Sequence, residues 1–184
     1  MFRRKIKSFE IESITIAGLE IVTNSILSQN SDYEESLIPE LWEDFWSIFP
    51  KLGVKSNGIS FGVSTFIDED LQNSKIKYLA GTEFKRGVPP GLDFKTVNIA
   101  SGKYVRYTHR GLIETIRDSY VEAYTQWFPS LKMKMRNAPH LELYDQRFNP
   151  SSPKCEMDIL IPVKWLKIWF GILKELNYAL FHYL

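Results

Sequence analysis

The chain carries one short motif twice. Phe49-Pro50-x-Leu52 and Phe128-Pro129-x-Leu131 stand 79 positions apart, 128 less 49. Each Phe-Pro closes an aromatic amphipathic stretch. Leu37 to Phe49 carries Trp42, Phe45 and Trp46, and Leu112 to Phe128 carries Ile116, Tyr120, Tyr124 and Trp127. Spacings of three and four put most of these residues on one helical face, and proline stops each helix. A polar turn follows in both copies, Asn57-Gly58 in one and Asn137-Ala138-Pro139 in the other, and then two runs that alternate like strands. These runs are Ile59 to Phe66 and Ile76 to Phe84 in the first half, and His140 to Phe148 and Glu156 to Val163 in the second. A strand-like run also precedes each helix: Ser13 to Val22, then Phe94 to Arg106, the latter read as two strands broken at Ser101-Gly102. Gly87-Val88-Pro89-Pro90-Gly91 is the seam.

The expected fold is therefore α+β: tandem β-α-β-β units, over about residues 5–86 and 92–164, that form an antiparallel sheet with two long helices and a central ligand groove. With 184 residues, 44% of them hydrophobic, one domain over 1–164 has ample material for a core.

The second half carries a resemblance to a known family. The stretch Asn137-Ala138-Pro139-His140-Leu141-Glu142-Leu143-Tyr144-Asp145-Gln146-Arg147-Phe148 is followed by Glu156-Met157-Asp158-Ile159-Leu160-Ile161-Pro162-Val163. Supporting features are the Trp127-Phe128-Pro129 helix end, Gly102-x-Tyr104, and Leu41-Trp42 with Phe45-Trp46. On these residues the chain resembles the GyrI-like small-molecule-binding domain, the effector-binding domain of AraC-type and MerR-type multidrug-responsive regulators of bacteria, over about residues 5 to 164. The resemblance implies that Glu142 is the acidic centre of a pocket for cationic, lipophilic compounds. It also implies a usual attachment to a DNA-binding helix-turn-helix. Here the likeness begins almost at residue 1 and the last residues do not read as such a unit, so the expectation is a stand-alone sensor or effector-binding module.

Strand periodicity gives Glu142 a physical reading of its own. His140, Glu142 and Tyr144 share one face of their strand, and Leu141 and Leu143 the other. If the polar face meets the helices, Glu142 sits among Tyr144, Tyr78, Trp46, Tyr120 and Trp127, the residues expected to line the ligand. Burying an unpaired carboxylate costs several kcal/mol, so the group takes up a proton, finds hydroxyl donors or waits for a cation. The expected partner is a small organic cation. Two alternatives stand beside it. One is a hydrolase that opens strained drug rings with Glu142 as general base and Tyr144 or Tyr78 orienting water or donating a proton. The other is an adaptor that modulates a larger protein, as the resemblance to proteins that restrain a topoisomerase implies.

Charge and composition narrow the remaining classes. Twenty-three Lys and Arg against 22 Asp and Glu give a net charge of +1, too little basic excess to suggest direct nucleic-acid binding. Cys155 is the sole cysteine and no secretory leader is legible, which points to the reducing cytoplasm. The histidines are scattered and Gly87 to Gly91 lacks the Lys-Ser/Thr of a phosphate loop, so neither a metal nor another cofactor is expected. Residues 165–184 read as an extra C-terminal amphipathic helix, too charged to span a membrane and apolar enough to mediate a homodimer or dock on a protein partner.

Overall fold

The computed structural model describes residues 8–28, 37–48, 58–67, 75–85 and 87–165. Nine strands and two helices are laid out along them. In chain order these are β1 (Ser8–Ile11), β2 (Ile14–Asn24), α1 (Ile38–Ile48), β3 (Ser60–Phe66), β4 (Lys75–Glu83), β5 (Lys95–Ile99), β6 (Gly102–Arg110), α2 (Ile116–Glu122), β7 (Met133–Met135), β8 (His140–Tyr144) and β9 (Glu156–Trp165). The fold is α+β, a curled antiparallel sheet with two helices, in the order β1-β6-β9-β8-β3-β4-β2-β5, and β7 pairs with β9 off this path.

That order reads the same from both ends. Each half contributes a first strand, a last strand and a middle strand, β2-β4-β3 and β6-β9-β8, and the middle strands meet at the centre. The short strands cross over: β1, which opens the first half, pairs with β6 of the second, and β5 pairs with β2 of the first. One row of partners runs across the sheet as Tyr107, Ile159, Glu142, Gly62, Ala80 and Leu19. Its midpoint is the Gly62–Glu142 pair. The pseudo-twofold axis between the halves therefore passes beside these two residues, which are 80 positions apart, close to the spacing of the Phe-Pro motifs.

The strand periodicity sorts side chains onto two faces. Leu141, Val63, Leu79 and Leu160 pack on one face with Ile16, Ile99 and Tyr104. The other face carries both helices. α1 lays Leu41 and Phe45, one turn apart, against Ile76, Tyr78 and Ala80, and α2 lays Ile116 and Tyr120 against Val105, Tyr107, Ile159 and Ile161. Glu142 lies between these clusters. α1 starts well because Pro39 is in the first turn, where its missing N–H costs no bond, with Glu40 beside it at the positive helix end.

Three local readings differ from the sequence expectation. The second helix does not run unbroken to Phe128: α2 gives way to a wide π-helical turn at Ala123–Trp127 and a tight 3-10 turn at Phe128–Leu131. Pro129 has no N–H to give the carbonyl four residues back, and its ring crowds that carbonyl, so regular α-helix cannot continue through it. The strand from His140 stops at Tyr144 instead of Phe148, because Asp145 accepts from the Arg147 backbone N–H and folds the chain into a turn. The short strands β1 and β7 had no alternation long enough to announce them. The first Phe-Pro motif and the tail from residue 166 lie outside the described residues. Among those described, no helix is long and apolar enough to cross a membrane.

Candidate ligand-binding site

β8 supplies the floor. His140, Glu142 and Tyr144 project from the helix-bearing face, as strand periodicity requires. Glu142 is 7% exposed and accepts three tyrosine hydroxyls. Tyr78 of β4 and Tyr144 donate to Oε2, the latter over 2.8 Å, and Tyr120 of α2 donates to Oε1 over 2.5 Å. Trp42 of α1 donates its indole N–H to the Tyr78 hydroxyl over 3.0 Å. Both helices and two strands, β4 and β8, thus converge on one carboxylate. None of the ion pairs among the described residues involves it.

Electrostatics keeps the tyrosines in their donor form. Burial first, and then the charge of Glu142, push the hydroxyls of Tyr78, Tyr120 and Tyr144 well above the ordinary tyrosine range. Tyr124 is raised for the same two reasons, and its hydroxyl is hydrogen-bonded to His140 Nδ1. His140 is buried and neutral, with its imidazole lowered to about 3 by desolvation. The result is a carboxylate stabilised by neutral dipoles, with no cation paired to it among the described residues.

The surroundings are aromatic. The Trp42 ring meets Tyr144 edge-on with centroids 4.9 Å apart, and Tyr144 meets Phe148 at 4.6 Å. On the α2 side Tyr120 and Tyr124 lie nearly parallel at 6.0 Å, and Tyr124 continues the stack onto His140 at 5.8 Å. Of the aromatic residues expected at the ligand, Tyr78, Tyr120 and Tyr144 touch Glu142 directly. Trp46 lies one step outward, stacked on Trp42 at 6.2 Å and 43% exposed. Trp127 is partly buried, packs edge-on against Tyr107 at the α2 core, and is not one of the residues that donate to Glu142.

Sequence reasoning left Trp42, Tyr124, His140 and Gly62 off the site. Trp42 was legible as a residue one turn before Trp46, and His140 as a neighbour of Glu142 on the same strand face. Gly62 gives no sign in sequence, because its importance comes from standing opposite Glu142 across β3 and β8.

A family model described as the GyrI-like small molecule binding domain matches residues 9–164. The chain belongs to this family. Among curated relatives of this GyrI-like chain is the transcriptional regulator BrlR of Pseudomonas aeruginosa, 27% identical over 128 residues. The match takes in 68% of this chain but 46% of the regulator, so the GyrI-like chain spans less than half of that protein's length. Among solved structures, the GyrI-like fold is shared with SAV2435, solved bound to tetraphenylphosphonium, at a TM-score of 0.65 and 18% identity over 88% of this chain and 94% of that one. An integron cassette protein from the mobile metagenome of Vibrio cholerae superposes at a TM-score of 0.63 and 20% identity, over 86% of this chain and 95% of that one.

Proposed function

We propose that this GyrI-like domain binds lipophilic aromatic cations reversibly at Glu142 and serves as the ligand-sensing part of a regulatory system. The observation that carries the reading is the buried Glu142 carboxylate, held by three tyrosine hydroxyls and ringed by aromatic side chains, with no Lys or Arg paired to it among the described residues. Neutral donors lower the cost of burying the charge without cancelling it. An arriving cation meets an uncompensated negative potential. At about 4 Å and an effective dielectric of 20, that attraction is on the order of 4 kcal/mol. Each ring face that the cation covers adds roughly 0.5 to 2 kcal/mol.

The anchors are Glu142, Tyr78, Tyr120 and Tyr144, with Trp42 and Trp46 as an aromatic wall leading outward along α1. Tetraphenylphosphonium, the ligand in the SAV2435 structure, has the charge and ring content this arrangement favours. The buried, unpaired Cys155 fits the reducing cytoplasm. Hydrolysis asks Glu142 to draw a proton from water while three hydroxyls already occupy most of its acceptor positions, so binding is favoured over catalysis.

Calorimetric titration with tetraphenylphosphonium is the test. Glu142→Gln keeps the shape and removes the charge, and the expected loss of affinity is about tenfold to a hundredfold. Equal affinity in both proteins would overturn the electrostatic role of Glu142.

A further inference from the structure

The acceptor capacity of Glu142 is nearly full before a ligand arrives. A carboxylate offers about four lone-pair positions, two on each oxygen. Tyr78 and Tyr144 donate to Oε2 and Tyr120 to Oε1, which leaves one position, on Oε1, open among the described residues. The Tyr78 hydroxyl has little freedom to turn away. Its oxygen accepts the Trp42 indole N–H over 3.0 Å, which directs its own proton at the carboxylate.

Gly62 makes this cap possible. It faces Glu142 across the β3–β8 pair, and Tyr78 projects from two residues along the neighbouring strand, opposite Ser64. A Cβ at Gly62 would come closer than 3.0 Å to both Tyr78 Oη and Glu142 Oε2. Gly62 is not among the glycines with positive φ, so what it supplies is space. The pseudo-twofold arrangement sharpens the point. Ser60, Gly62 and Ser64 stand where the second half has His140, Glu142 and Tyr144, so one half donates the acid and the other the room for its cap.

We infer that Gly62 is a specificity-determining residue: by admitting the Tyr78 hydroxyl to Glu142, it makes the site select cations without N–H donors, such as phosphonium and quaternary ammonium ions, over ammonium and amidinium ions. This deepens the cation-binding reading above and rests on it. A primary ammonium leaves several water hydrogen bonds behind and finds one acceptor position in return. To gain a second it must evict a tyrosine hydroxyl, which then stays buried and unpaired. A phosphonium has no donor to satisfy and loses nothing to the cap. It draws on charge and ring faces alone.

The test compares tetraphenylphosphonium with 3,3-diphenylpropylammonium by calorimetry on the full chain, in the native protein and in Glu142→Gln, Tyr78→Phe and Gly62→Ala. The native protein is expected to favour the phosphonium by about tenfold or more. Tyr78→Phe uncovers an acceptor position, and Gly62→Ala pushes the hydroxyl aside; each is expected to shrink that preference at least about threefold, chiefly by tighter ammonium binding. If Gly62→Ala does not fold, Tyr78→Phe carries the comparison. An unchanged preference in these variants, with Glu142→Gln still weakening both cations, would overturn the role of Gly62 and leave cation binding standing. Failure of the native protein to bind either cation would overturn both.

Discussion

Trp42 on α1 donates its indole N–H to the hydroxyl of Tyr78 on β4 over 3.0 Å, and that hydroxyl donates onward to Glu142. A helix is thereby tied to the buried acid through a strand residue. Trp42→Phe removes the first bond and keeps most of the ring that packs on Tyr144. The expected cost is about 1 kcal/mol of stability, read from urea denaturation, with tetraphenylphosphonium affinity nearly unchanged, because that ion draws on charge and ring faces and most of the ring remains.

This relay also marks how far the sequence could be read. The duplicated Phe-Pro motif and the alternation from His140 to Tyr144 disclosed the two halves, their antiparallel sheet and the face on which Glu142 lies. Periodicity reports a residue's own face and says nothing about its neighbour across the sheet. Register is set by long-range pairing, so the meeting of Gly62 with Glu142, and of Trp42 with Tyr78, was out of reach. Periodicity also leaves undistinguished two kinds of aromatic residue on one helical stretch. Tyr120 looks towards β8, whereas Trp127 is the last residue of the π-helical turn and packs against Tyr107. A helix wheel with a constant period cannot anticipate a turn that changes the period.

On the opposite sheet face Asp158 is fully buried, and Arg147 reaches it with Nη2 over 2.7 Å while holding Asp145 over 2.8 Å. Thr108 also donates to Asp158 over 2.7 Å, and half-exposed Arg106 lies 3.4 Å away. Arg147→Ala leaves the buried acid with weaker partners and unpins the turn after Tyr144. The expected destabilisation is about 2 to 3 kcal/mol by chemical denaturation. Arg147→Lys keeps the charge but cannot reach Asp145, Glu156 and Asp158 with one planar fork, so an intermediate loss is expected.

His140 makes stability depend on acid. Burial lowers its imidazole from 6.5 to about 3, so between those values the unfolded chain takes up a proton that the folded chain refuses. Its contribution is fully present above pH 6.5 and drains away as the pH falls towards 3. The expected slope from this residue is on the order of 1 kcal/mol per pH unit. His140→Gln, which keeps a polar partner for the Tyr124 hydroxyl, should flatten that part of a denaturation series. An unchanged slope would show that the imidazole titrates in the fold as it does in the open chain.

The two tryptophans first placed at the ligand should separate cleanly when each is cut to alanine. Trp46 is 43% exposed and stacks on Trp42 at the outer end of the aromatic wall. Its removal takes little from the core, so stability should change by less than about 1 kcal/mol, while a ring face is lost to an incoming cation and affinity falls severalfold. Trp127 packs with Tyr107 in the α2 core, and its truncation leaves a void there. Stability should drop by about 2 kcal/mol or more, with the affinity of the folded fraction for tetraphenylphosphonium nearly unchanged. Thermal denaturation paired with calorimetry reads both quantities. The opposite assignment, Trp127→Ala abolishing binding in a protein of native stability, would move the ligand to the other side of α2.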